Sequence, residues 1–123
     1  MMEAEYPSVP PEGVRFLSVR NILSDYLPLK NEISYLEARL KTLPAEAPEE
    51  ASLRRMLLRD RLRVLKTEQA VLSLRSPLRR RLVEARYLEG MSWQEIAGLF
   101  SVSERSLFLQ HRKALAELEE RIR

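Results

Sequence analysis

The apolar residues between positions 19 and 43 follow a regular rhythm. Val19, Ile22, Tyr26, Leu29, Ile33, Leu36, Leu40 and Leu43 are separated alternately by three and four residues. That spacing holds a narrow seam along one side of a helix, the heptad-type pattern of helices that pack lengthwise. Glu32, Glu37, Arg39 and Lys41 fall outside the seam. Pro28 interrupts it. Proline lacks the backbone donor and crowds the residue four positions back. The pattern therefore predicts a kink or break near Leu27–Pro28, with Pro28 in the first turn of a second helix. Pro44 and Pro48 end this segment, and Glu49 and Glu50 favour the positive start of the next helix.

Residues 51–75 carry two apolar rows. Leu58, Leu62, Leu65 and Leu72 form one; Leu57, Val64 and Val71 form another beside it. Together they are wider than one packing seam requires, so this helix is expected to touch more than one neighbour. The simplest arrangement is an antiparallel hairpin of 19–43 against 51–75. Its seam could also recruit a second copy and give a homodimer through the N-terminal helices; an intramolecular hairpin accounts for the pattern equally well. Ser76-Pro77 is a good cap-plus-first-turn pair for a further helix, which Gly90 can close in the left-handed conformation.

The most informative stretch follows, Ser92 to Leu115. Ser92 and Glu95 have the spacing of a capping box. Ile96, Ala97, Leu99 and Phe100 give an inward face. Ser101-Val102-Ser103 interrupts, with Val102 expected in the core and Ser103 capping the next helix. Leu107, His111, Ala114 and Leu118 share one side of that helix, while Arg105, Phe108 and Arg112 lie on another, flanked by Leu109 and Lys113. Two capped helices around a three-residue turn describe a helix-turn-helix, whose second helix enters the major groove of DNA. A plain helical hairpin that binds nothing would share the same caps.

Glycine is scarce and alternating β-branched runs are few, so the expected class is all-α. The organisation read from the chain is a flexible tail (1–13), a coiled-coil-prone helical hairpin (14–75) and a helix-turn-helix domain (76–123). Charge is unevenly spread. Residues 1–50 hold five Lys/Arg against nine Asp/Glu, residues 51–86 eleven against three, and residues 87–123 five against six. A basic middle suits a polyanion such as double-stranded DNA. On this reading Ser103, Glu104, Arg105, Ser106, Phe108 and Arg112 face the groove, and Arg79, Arg80, Arg81, Arg86 and Lys113 serve phosphates.

Residues 78–118 resemble the promoter-reading region 4 of bacterial sigma factors. The matching features are Arg86-Tyr87, Glu89-Gly90, Ser92, Glu95-Ile96-Ala97, Leu99, Val102-Ser103 and Lys113-Ala114-Leu115. Leu29-Lys30-Asn31-Glu32-Ile33 with Leu36-Glu37, Gly90-Met91-Ser92-Trp93 and His111-Arg112-Lys113-Ala114-Leu115 are similar to phage regulators of the RinA/ArpU type. That resemblance implies a DNA-binding activator of late phage or prophage genes, with RNA polymerase as a further partner. Phe108 and Leu109 depart from the polar residues common at these positions in sigma-type domains. Phe108 could meet thymine methyls, or both could be buried against protein.

Other chemistry finds little support. There is no cysteine, which removes thiolate metal sites and cysteine nucleophiles and fits the reducing cytoplasm of a bacterial host. His111 stands alone on an inward face, without carboxylates at ligand spacing. No glycine-rich phosphate loop occurs. Trp93 suits a packed aromatic better than a base-stacking platform. Neither an enzyme nor a metal or cofactor site is expected. The N-terminal residues do not read as a signal peptide, and no apolar run is long enough to cross a membrane. The competing function is a helical module that binds RNA polymerase or a phage assembly component without DNA. A DNA-recognising packaging subunit shares the motif but would be expected to carry it at the front of the chain.

Overall fold

The seam of the first segment is divided between two helices. In the computed structural model, which describes residues 16–122, α1 (Leu17–Ser24) and α2 (Tyr26–Thr42) meet at Asp25. Pro28 sits in the first turn of α2, where helical N–H groups lack intrahelical partners in any case. The residues of the expected tail, 1–13, lie outside the described residues. After two tight turns through residues 44–50, α3 (Glu50–Leu72) runs back along α2. Its direction is evident from the pairs that link them. Asp25 near the start of α2 meets Arg63 at 3.2 Å, Glu32 meets Arg59 at 3.9 Å, and Arg39 near the end meets Glu49 at 3.6 Å. The antiparallel hairpin is thus present. These pairs are solvent-exposed and each adds little stability; they fix register more than they hold the helices together.

Which row of α3 is buried differs from what apolarity alone implies. Leu57, Asp60, Val64, Thr67 and Val71 are buried, whereas Leu58, Leu62, Leu65 and Leu72 are exposed. Two polar residues enter the buried row, and Asp60 does so with its Oδ2 left without a hydrogen bond. Thr67 donates its hydroxyl to the Arg63 carbonyl at 3.1 Å. Asp60 lies against Arg59 and Glu32, and its hydrogen bond to Glu32 holds that carboxyl above the usual range. Tyr26 packs with Leu29 and Val64 and donates its hydroxyl to Glu68; burial, reinforced by that bond, pushes the phenol up to about 12.

Beyond α3, α4 (Pro77–Val83) opens as expected, with the Ser76 hydroxyl accepting from the Arg79 N–H at 3.2 Å. The helix then widens into a π-helical turn, Glu84–Leu88, before Gly90 closes it at φ 77°. A Cβ at Gly90 would also come within 3.2 Å of Leu27, so glycine serves both the turn and the packing. α5 (Trp93–Phe100) and α6 (Glu104–Ile122) complete the chain. The described residues contain helices and no strand, in agreement with the all-α expectation.

The main core gathers Phe16, Val19 and Leu23 from the first segment, Val71 and Leu74 from the end of α3, and the inner faces of α4 to α6. Val19 therefore packs with the C-terminal helices, although its spacing fits the hairpin seam. Two residues of the expected inward face are corrected. Val102 is exposed because the left-handed Ser101 turns the loop after α5 outward, and Leu99 lies on the open side of α5.

The covered face of α2 and the open row of α3 make opposite forecasts. Leu36→Ala, at a fully covered position of the hairpin, is expected to lower unfolding stability by about 2–5 kcal/mol in urea titrations. Leu58→Ala is expected to stay within about 0.5 kcal/mol of the parent. Equal losses at both positions would contradict this assignment of faces.

Candidate nucleic-acid interface

The turn between α5 and α6 is built from backbone hydrogen bonds and two serines. At the start of α5 the capping box is complete: Glu95 N–H donates to Ser92 Oγ at 3.1 Å, and Ser92 N–H donates to Glu95 Oε1 at 2.8 Å. At its end Ser101 adopts the left-handed conformation, φ 56°. The N–H groups of Ser101 and Val102 then return to the carbonyls of Gly98 and Ala97, at 3.3 and 3.1 Å. This closes the helix and sends the chain off in a new direction. Ser103 caps α6 by accepting from the Ser106 N–H at 3.1 Å.

α6 is divided lengthwise. Leu107, Phe108, His111, Ala114, Leu115 and Leu118 are buried. Arg105, Ser106, Leu109, Arg112, Lys113 and Ala116 are exposed along one continuous face, with Ser103 exposed at its N-terminal end and Glu104 half-buried. Arg105, Arg112 and Lys113 have no ion pair among the described residues. Phe108 is a correction to the groove-facing set. It is 6% exposed and meets the Trp93 ring edge-on at 5.2 Å, so it cannot reach a base. Leu109, which flanked that set, lies on the open face.

The arginines expected at phosphates are all engaged in the fold. Arg79 donates from Nε to Gln110 Oε1 at 3.0 Å and so braces α4 against α6. Arg80 reaches the Leu74 carbonyl at 3.1 Å. Arg81 forms a two-pronged pair with Glu89 at 2.9 and 3.2 Å. Arg86 lies over the Trp93 ring, 4.9 Å from its centre, and donates to the Met91 carbonyl at 3.1 Å. The seven-residue interval between Arg86 and Trp93 gives no signal of this contact, because the π-helical turn and Gly90 intervene.

Trp93 is the packed aromatic that the sequence suggested. Its ring meets both Phe108 and His111 at their edges. His111 is fully buried, and the Tyr87 hydroxyl lies 2.7 Å from its Nε2. Burial, with smaller contributions from Arg20 and Arg86, lowers its pKa to about 3. The ring is therefore neutral at pH 7 and acts as packing between α5 and α6. No group of three or more His, Cys, Asp or Glu side chains is arranged to hold a metal among the described residues.

The histidine gives a pH forecast with a definite sign. In the unfolded chain the ring takes a proton below about 6.5, whereas in the folded chain it resists one until about 3. Between those values the unfolded state binds more protons, so stability falls as pH falls, by up to about 1.4 kcal/mol per pH unit. His111→Gln is expected to remove that component. Urea unfolding of both proteins across this range should show a shallower pH dependence for the variant; parallel profiles would refute it.

Residues 76–118 match the family described as Sigma-70, region 4. Comparisons with curated proteins and with solved structures give no match. The matched span runs from the cap of α4 through the turn to the sixth helix, and includes the whole exposed face of α6 up to Leu118. No described helix is long and apolar enough to cross a membrane. Residues 76–118, about a third of the chain, are thus similar to the sigma-70 region 4 domain, a helix-turn-helix of DNA-binding type.

Proposed function

We propose that this protein is a sequence-specific transcription regulator that lays the open face of α6 in the major groove of double-stranded DNA. One observation carries the reading. After the fold has engaged every arginine of α4 and its π-helical turn, the cations of the open α6 face remain free, at the start and middle of a helix that a capped turn projects outward. Arg105 and Arg112 have the forked donors that suit a guanine edge, and Ser106 lies between their turns. Leu109 takes the apolar role first expected of Phe108 and can meet a thymine methyl. Ser103 and Glu104, at the positive N-terminal end, fix how α6 enters the groove. Lys113 serves a phosphate, and Arg79 can add one with the N–H groups that Gln110 leaves free.

Sigma region 4 domains bind RNA polymerase as well as DNA, and the same domain gives this protein a route to polymerase at a promoter. The sequence similarity to phage regulators supports a setting at late promoters of a phage or prophage. Arg80, Arg81 and Arg86 act chiefly as structural groups in this reading. Their removal should be felt in folding before it is felt in binding.

The test begins with site selection from a random duplex pool, followed by anisotropy titrations on the selected site. Arg105→Ala and Arg112→Ala are each expected to cost about 1–3 kcal/mol on that site and to relax preference at one or two base pairs. Lys113→Ala should weaken binding to every duplex alike and flatten the salt dependence by about one unit. Arg86→Ala should lower the thermal midpoint. If no duplex is retained at about 10 μM protein in low salt, where even sequence-independent binding is normally detectable, the reading fails.

A further inference from the structure

α3 presents to solvent a surface that the fold does not use. Leu58, Leu62, Leu65 and Leu72 are 60, 49, 48 and 64% exposed. Their spacing of four, three and seven keeps them in one stripe, with Gln69 at the vacant fourth position, on the opposite side of α3 from its buried row. Scattered exposed leucines are ordinary; a stripe in heptad register along one helix is the form of a helix-packing seam.

The flanks of the stripe identify what could cover it. A shallow trough of about 460 Å³ runs along one side, lined by Arg55, Leu58, Arg59, Leu62, Arg63 and Lys66. Its polar lining is entirely cationic. Arg59 and Arg63 already face acids of the hairpin, but Arg55 and Lys66 have no ion-pair partner among the described residues. A second copy of the chain fits this surface poorly. Paired in parallel, Arg54 would meet Arg59 of the other copy and Arg61 would meet Lys66. Paired antiparallel, Arg59 would meet Lys66 on one flank, while Arg61 would meet Glu68 on the other. Like charges at these flanking positions select against a pairing.

We infer that the leucine stripe of α3 is a docking site for an amphipathic helix of another protein, one with its own leucine seam bordered by glutamate or aspartate. The partner's apolar seam covers Leu58, Leu62, Leu65 and Leu72, and its acids enter the trough beside Arg55 and Lys66. The site lies outside the region 4 domain and does not depend on the DNA-binding reading.

Two synthetic peptides of equal length test this on the full chain. Both carry leucine at the seam positions; one has glutamate and the other lysine at the flanking positions. Fluorescence anisotropy is expected to show the glutamate peptide binding at least tenfold more tightly, with an affinity that falls as salt rises. The paired substitution Leu62→Ser with Leu65→Ser should abolish binding while leaving the helical signal and thermal midpoint near those of the parent, since both side chains are already exposed. Arg55→Glu with Lys66→Glu should reverse the preference toward the lysine peptide. Equal binding of the two peptides, or no binding of either at about 100 μM, would overturn the proposal. So would a dimer of the chain alone in sedimentation equilibrium that Leu62→Ser with Leu65→Ser dissolves, since the stripe would then belong to a second copy.

Discussion

The position of α6 rests on the packing of one indole. Trp93 enters directly after the Ser92 cap and meets α6 edge-on at Phe108 and His111, while Arg86 covers its face. Rings packed edge to face have preferred geometry as well as attraction, so they restrict the angle at which two helices cross. The crossing angle matters because the exposed and buried faces of α6 are cut from the same nineteen residues. Phe108 follows Arg105 by three residues and precedes Arg112 by four, at the border where the buried face meets the open one, so its packing on Trp93 fixes where that border falls. Keeping His111 neutral belongs to the same arrangement, since an added charge there would lie fully enclosed between the helices.

The arginines show why a basic composition is an incomplete guide to a nucleic-acid surface. The middle of the chain holds the excess of positive charge, yet its cations mostly answer local demands. Arg59, Arg61 and Arg63 face the acids of α2 across the hairpin. Arg79, Arg80, Arg81 and Arg86 tie α4 and its π-helical turn to their surroundings. The segment with α6 is close to neutral overall, but its cations on the open face form no ion pair among the described residues. Arg105, Arg112 and Lys113 lie on the open face, whereas Glu117 is held by Arg121 near the far end of the helix. For recognition, where charge remains free counts for more than how much there is.

Much of the architecture was legible in the residues themselves. Caps and turns depend on local chemistry, so Ser76-Pro77, Ser92 with Glu95, Ser103 and Gly90 all serve as the sequence indicates. Pro28 likewise marks the break between α1 and α2 to within three residues. The failures came where two faces of one helix competed. On α3 the row with more leucine is the exposed one, and the row containing Asp60 and Thr67 is buried; Thr67 finds an acceptor one turn back, whereas Asp60 is covered with one carboxyl oxygen unpaired, which apolarity along the chain gives no reason to expect. On α6, Phe108 and Leu109 are adjacent and both apolar; only the placement of Trp93 decides which of them is inside. Val102 is exposed because Ser101, with no sequence mark of the kind glycine gives, takes the left-handed conformation.

The π-helical turn at Glu84–Leu88 ties the hairpin to the helix-turn-helix unit. Glu89 N–H bonds to the Glu84 carbonyl, five residues back, so this stretch holds more chain than an α-helix of the same rise. The extra length lets Tyr87 turn to His111 while Leu88 joins the cluster of Tyr26, Leu29 and Val64. Losing a single residue here would restore ordinary winding over nearly the same rise and rotation, leaving the helices on either side close to their present orientation but changing which side chains of the turn reach His111 and the Tyr26 cluster. A relative shorter by one residue at this point should therefore keep its sixth helix at nearly the same azimuth while losing the bridge from Tyr87 to the buried histidine.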